Sequence, residues 1–167
     1  MSKLTRREFL LKTSAAGLLI TTGGPFPKSV TAGLPSKAID RVMLGNTGIE
    51  ASYLAFGTGV RAWLRKAGIT RLGEDEAVRI MRYAYDQGIN FFDSADIYGT
   101  HQTVARALEG VPRENYVLLS KIWTREESWL KPSGGAIEEV DRFRKEYNTD
   151  MLDIVLIHSE TDENWPE

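Results

Sequence analysis

The chain is 167 residues long, 42% hydrophobic and 26% charged with a formal net charge of -2, the balance of an ordinary globular domain rather than a disordered chain. Near-neutral charge and scattered basic residues leave no electrostatic footprint for nucleic acid. The sequence has no cysteine, which excludes disulfides, a thiol nucleophile and thiolate metal sites, and His101 and His158 are too few for a multi-histidine metal centre.

Residues 1–32 read as an address rather than as part of a fold. Lys3, Arg6, Arg7 and Lys12 precede a mild apolar run from Ala15 to Ile20, and Val30-Thr31-Ala32 resembles a small-x-small cleavage site. The run is far shorter than the roughly 20 residues that span a bilayer, so no stable membrane anchor is expected. Thr5-Arg6-Arg7-Glu8-Phe9-Leu10 resembles the twin-arginine export signal, with Lys12 slightly displaced from its usual place. That resemblance implies passage of an already folded protein into a bacterial periplasm or beyond; the competing reading is a basic amphipathic helix. Pro25, Pro27 and Pro35, with nearby glycines, mark residues 23–37 as linker-like. The expected division is therefore a signal over 1–32, a linker over 33–40 and a folded region over 41–167.

The folded region opens with Arg41-Val42-Met43-Leu44 and Ile49-Glu50-Ala51-Ser52 around Gly45-Asn46-Thr47-Gly48, a hairpin pattern. Tyr53 to Phe56 predicts a short apolar strand stopping at Gly57-Thr58-Gly59. Between Glu74 and Asp86, Ala77, Ile80, Met81 and Ala84 share a helical face, acids fill the first turn, and Gly88 is placed to end the helix. Ile89 to Phe92 predicts a strand, Thr103 to Leu108 a short helix, and Tyr116 to Ser120 a strand apolar on both faces. Ser133 is a candidate cap for a helix burying Ala136, Val140, Phe143 and Tyr147, and Met151 to Ile157 predicts a last strand. Strands alternating with helices build parallel sheets covered by helices. There is no internal repeat and no low-complexity segment.

Four chemistry-bearing residues fall at or just past these strand ends: Asp93, Tyr98, Lys121 and His158. A parallel α/β fold would gather them at its carboxyl face. Together they suit proton delivery. A tyrosine is a weak acid near neutrality, and a nearby lysine ammonium is expected to lower its pKa. Asp93 would supply the lysine's counter-charge, and a histidine beside the phenol would orient a carbonyl. Each residue alone has a structural explanation: Asp93 as a turn former, Tyr98 as loop packing, Lys121 as a snorkelling strand-end residue, His158 as a satisfied rim residue. The joint placement is what carries the functional reading.

The same residues sit in strings that resemble the aldo-keto reductase family. Ile89 to Gly99 (INFFDSADIYG) resembles its aspartate–tyrosine segment, Leu118 to Trp123 its lysine strand, and Leu152 to His158 its histidine strand. Leu44 to Gly48 and Leu54 to Gly59 resemble its floor hairpin and first barrel strand, so the similarity runs from about Arg41 to Glu160. The resemblance implies an α/β fold, the N-terminal half of a (β/α)8 TIM barrel with a floor-closing β-hairpin. It further implies NADPH, or less often NADH, as cofactor, a small carbonyl substrate, and neither flavin nor metal. Tyr98 would protonate the carbonyl oxygen, Lys121 and Asp93 would tune Tyr98, and His158 would position the carbonyl. Gly57, Thr58, Asp93 and Lys121 would touch the cofactor.

The chain departs from the family pattern twice. His101-Gln102 stands where a serine–glutamate pair is common, with His101 read as a solvated loop residue. The sequence also stops just after the fourth expected barrel strand, short of the roughly 250 residues of a whole barrel, so the chain is expected to be an incomplete fragment. No glycine-rich phosphate loop replaces the later strands. The alternative functions are a non-catalytic half-barrel binding or assembly module, self-associating through open barrel edges, and a metal-dependent hydrolase using Asp93, Asp96, His101 and His158.

Overall fold

The computed structural model describes residues 36–123 and 135–158. The expected export signal, its expected cleavage site and the expected capping role of Ser133 lie outside the described residues.

The hairpin forms as its sequence predicts. β1 (Arg41–Met43) and β2 (Glu50–Ser52) pair antiparallel, with Arg41 opposite Ser52 and Met43 opposite Glu50. The Leu44 amide closes the turn by donating to the Ile49 carbonyl at 2.9 Å. Asn90 fastens this hairpin to the main sheet. Its Oδ1 accepts from the Ser52 amide at 2.7 Å and its Nδ2 donates to the Glu50 carbonyl at 3.2 Å. Because Asn90 precedes the second sheet strand, the hairpin lies at the amino ends of the strands, away from the candidate site.

The main sheet is parallel and runs β3 (Phe56–Gly57), β4 (Phe91–Asp93), β5 (Val117–Trp123), β6 (Ile154–His158). Three helices alternate with these strands: α1 (Glu74–Asp86), α2 (His101–Ala107) and α3 (Ala136–Tyr147). The order is the one the periodicity predicts, but some boundaries differ. β3 is shorter than expected because Tyr53 and Leu54 are exposed and precede it. β5 continues past Ser120 to Trp123, so Lys121 lies within the strand rather than at its end. β6 starts at Ile154, since Asp153 instead ties its entry by accepting from the Leu118 amide at 2.7 Å and pairing with Arg113.

Side chains alternate across a strand, and the strand register sorts them. Phe92, Leu118 and Ile122 point outward and pack with Met81, Val104, Phe143 and Tyr147 of the helices, forming the core. Burying a side chain the size of Phe92 contributes about 1.5–3 kcal/mol, and Phe92 is fully buried. The intervening residues face the other way. Phe56 pairs with Phe92, Gly57 with Asp93, Lys121 with Leu156 and Trp123 with His158. Gly57, Asp93, Lys121 and His158 therefore share the inner face, and a one-residue slip would put them in the core instead.

Candidate active site

Asp93 is the last residue of β4 and His158 the last of β6. Lys121 sits between them on β5, where its Nζ forms a close ionic contact with Asp93 Oδ1 and donates to the Ser94 carbonyl at 2.9 Å. Tyr98 ends a 3-10 turn spanning Asp96–Tyr98, and its ring centroid lies 5.2 Å from Lys121 Nζ. His158 meets the Tyr98 ring edge-on, with centroids 5.5 Å apart, and meets Trp123 in the same manner at 5.0 Å. Trp123 in turn contacts Trp63 edge-on at 6.1 Å, so the aromatic groups form a continuous strip in favourable geometry. All four residues expected to carry chemistry are thus brought together.

Two glycines make room for the tyrosine. A Cβ on Gly59 would stand 2.3 Å from Tyr98 Cζ, so only glycine lets the ring lie where it does. Gly99 has φ 64°, and a Cβ there would stand 2.1 Å from the Arg65 carbonyl oxygen. Positive φ and close backbone approach together select glycine at that turn.

Electrostatics corrects one expectation. The Tyr98 phenol has its pKa raised, first by burial and then by the Asp93 charge. The expected lowering by Lys121 is not what this arrangement gives. The ammonium is in contact with Asp93, which offsets its field at the phenol. His158 has its pKa lowered by burial and then by the Lys121 charge, partly offset by Asp93. Its imidazole is neutral at neutral pH, and its Nδ1 is buried with no hydrogen-bond partner among the described residues. The result is a protonated phenol beside a neutral imidazole, over a lysine–aspartate pair. Such a set can hydrogen-bond an oxygen and hand it a proton.

A family model described as "Aldo/keto reductase family" matches residues 54–166, a stretch that contains all four side chains. The chain belongs to the aldo/keto reductase family. Relatives include the aldo-keto reductase dtxS3 of Metarhizium robertsii, 31% identical over 105 residues covering 58% of this chain and 27% of that protein. The L-galactose dehydrogenase of Arabidopsis thaliana is 28% identical over 120 residues, covering 69% of this chain and 36% of that protein. Among solved structures, the holo form of an aldo-keto reductase from Bacillus halodurans matches with a TM-score of 0.53 and 30% identity, covering 70% of this chain and 39% of that one. The chain spans roughly a quarter to just over a third of the length of the curated relatives it matches, from 24% to 37%. The α/β architecture with a parallel sheet agrees with the part of an aldo-keto reductase barrel that the chain covers.

Of the residues expected to touch a cofactor, Gly57, Asp93 and Lys121 lie on the inner face. The Thr58 side chain points the other way. It is 1% exposed, and its hydroxyl donates to the Asp93 carbonyl at 3.0 Å and contacts the hydroxyls of Thr100 and Ser94 at 2.8 and 3.1 Å.

His101 is the largest departure of this chain from its sequence reading. It is the first residue of α2 and 1% exposed, not a solvated loop residue. Its ring stacks on Tyr147 at 4.5 Å and meets Phe143 at 4.8 Å. Nδ1 lies 2.7 Å from Glu146 Oε2 and Nε2 lies 2.8 Å from Ser120 Oγ. Glu146 also accepts from Arg65 at 2.8 Å and Arg142 at 2.9 Å, and both arginines reach Asp96 Oδ1. Arg142 pairs with Glu139 as well. The serine–histidine–glutamate chain has the connectivity of a hydrolytic triad, but Ser120 is 0% exposed and so cannot meet a substrate. The metal-hydrolase set is likewise split. Asp96 and His101 lie in this lattice, whereas Asp93 and His158 face the mouth of the sheet.

Proposed function

We propose that the chain supplies the proton-delivery face of an oxidoreductase that reduces an aldehyde or ketone to an alcohol with NADPH, or NADH. The observation that carries the reading is the convergence of Asp93, Tyr98, Lys121 and His158 at the carboxyl ends of a parallel sheet. The inner face suits the nicotinamide end of such a cofactor. Outside its chain neighbours, no described atom lies within 4 Å of where a Gly57 Cβ would stand, and Asp93 pairs with it across the sheet. Gly57, Asp93 and Lys121 would hold that end, whereas the Thr58 amide and hydroxyl both donate to the Asp93 carbonyl. The described residues offer no glycine-rich phosphate loop, so the proposal is confined to the nicotinamide end. When bound, the reduced nicotinamide supplies hydride to the carbonyl carbon.

Tyr98 donates its phenolic proton to the carbonyl oxygen. Its raised pKa keeps that proton in place at neutral pH. Lys121 lies beside the phenol, its Nζ 5.2 Å from the Tyr98 ring centroid, and Asp93 orients its ammonium. The neutral His158 imidazole hydrogen-bonds the oxygen and fixes its direction. The reverse reaction oxidises an alcohol, the direction described by the name of the Arabidopsis relative.

Fluorescence titration of the purified chain with NADPH tests this reading. Saturable binding weakened by Lys121→Met is the expected result. No binding by a folded, soluble sample would remove the chain's own claim to a cofactor site.

The division into residues 1–32, 33–40 and 41–167, and twin-arginine export of the folded chain, are part of the same proposal. A reporter fused behind residues 1–40 should reach the periplasm, and replacing Arg6 and Arg7 with lysine should block it.

A second reading rests on β6, the outer strand of the described sheet. Val155, Leu156 and Ile157 are between 38% and 43% exposed there. An apolar strand with an unpaired edge favours association with another strand, and we infer pairing with a second copy of the chain. Light scattering giving only the monomer mass would end that reading.

A further inference from the structure

We propose that His101 and Glu146 are positioning residues for Tyr98, coupling the turn that carries its phenol to the strand that carries Lys121. The inference deepens the reading of Tyr98 as proton donor and rests on it for its catalytic meaning.

The coupling is a continuous set of contacts behind the sheet. At one end, Ser120 precedes Lys121 on β5 and its hydroxyl contacts His101 Nε2 at 2.8 Å. At the other end, Asp96 opens the turn that finishes at Tyr98, and its side chain is 0% exposed. Arg65 and Arg142 reach Asp96 Oδ1 at 3.1 and 2.8 Å. Glu146 joins the two ends, holding both arginines through Oε1 and His101 through Oε2. Arg65 adds a backbone clamp, its amide donating to the Ile97 carbonyl at 2.8 Å.

Chemistry fixes the direction of each bond. Burial alone would raise the Glu146 pKa, but the bonds from His101 and Arg65 hold it down to about 2. Glu146 is therefore ionised and accepts only. His101 has its pKa lowered by burial, with Glu146 opposing, so it is neutral. A neutral ring facing a carboxylate carries its proton on Nδ1, which leaves Nε2 to accept from the Ser120 hydroxyl. Every link is thus directional, and losing one member leaves buried partners unsatisfied. Three acids (Asp96, Glu139, Glu146) meet two arginines here, so His101 joins the turn to β5 without adding a charge.

The test follows the Tyr98 ring carbon by NMR in the 167-residue chain made with 13C-labelled tyrosine, the signal being assigned with Tyr98→Phe. His101→Leu removes the link without changing charge. It should alter the Tyr98 shift at neutral pH and bring its titration midpoint down toward the ordinary 10.0, because a loosened turn exposes the phenol. Arg65→Gln should move the midpoint the same way. Loss of a positive charge alone would push it up, so the sign separates loosening from a through-space effect. His101→Asn, which keeps an N–H for Glu146, should recover most of the parent behaviour. An unchanged Tyr98 signal in folded His101→Leu, or an upward shift in Arg65→Gln, would overturn the proposal. Should His101→Leu fail to fold, Arg65→Gln decides alone, since that side chain is 40% exposed. No cofactor enters the measurement. A chain that binds no NADPH yet shows these shifts refutes the cofactor reading and leaves the coupling standing.

Discussion

The two histidines of this chain live in opposite surroundings. His158 stands at the mouth of the sheet, half-buried between Tyr98 and Trp123, with its Nδ1 unpartnered among the described residues. His101 lies behind the sheet with both ring nitrogens engaged and 1% of its surface exposed. Unused hydrogen-bonding capacity beside a perturbed phenol marks the first region for chemistry. Complete satisfaction marks the second for support. The two are neighbours through one strand, since Ser120 and Lys121 point to opposite faces of β5.

The sharpest way to break this comparison is to compare the stability of variants from each region. Glu146→Ala should cost about 2–3 kcal/mol, because it leaves the buried His101 Nδ1–H without an acceptor while both arginines keep Asp96. Lys121→Met, next to a partner that is 37% exposed, should cost about 1 kcal/mol or less. Urea denaturation followed by circular dichroism measures both. Equal losses would erase the distinction between the regions.

Acid should dismantle the lattice in two stages. His101 has a folded pKa below its ordinary 6.5, so the unfolded chain binds its proton first. Its contribution is full above pH 6.5 and is lost as pH falls below that value. Glu146 is lowered from 4.5 to about 2, so its contribution is full above pH 4.5 and is lost on the way to pH 2. The second loss is on the order of 3 kcal/mol. Urea midpoints measured from pH 8 to pH 2 should show both stages. His101→Gln should abolish the upper one, whereas His158→Gln should leave most of it.

Gly59→Ala probes the mouth from below. Its new methyl would overlap the Tyr98 ring, and overpacking of this kind costs about 1–3 kcal/mol. The Tyr98 NMR signal should shift while the His101 resonances stay put. Movement of both would mean that the regions share more than β5.

The parts of this molecule that read out from sequence are those set by local pattern. α1 and α3 fall where Ala77, Met81, Val140, Phe143 and Tyr147 repeat at helical spacing. The hairpin falls where glycines and Asn46 punctuate two short runs, and Asp93 and His158 end their strands as expected. His101 was opaque because its role depends on Glu146, 45 residues later, and on the outward face of β5. The i, i+3 and i+4 spacing of Glu139, Arg142 and Glu146 was a visible sign of an ionic face on α3. Nothing local says that this face turns inward. The Tyr98 pKa was misread for a related reason: the sequence names Lys121 and Asp93 as neighbours, but the burial of the phenol, the first cause of its raised value, depends on the folded chain around it.

The smallest effect on stability belongs to His158→Gln, and it tests the comparison most directly. Histidine at this position makes edge contacts with two rings but satisfies no hydrogen bond through Nδ1 among the described residues. Replacing it removes little that holds the fold together, so the change should fall within about 0.5 kcal/mol. If Tyr98 and His158 act as one proton-delivery unit, the same variant should nonetheless alter the Tyr98 ring signal, because the imidazole meets that ring edge-on with centroids 5.5 Å apart. A stable variant with a perturbed Tyr98 identifies a residue retained for chemistry. A variant that loses several kcal/mol would instead make His158 a support like His101, and the mouth would lose its histidine.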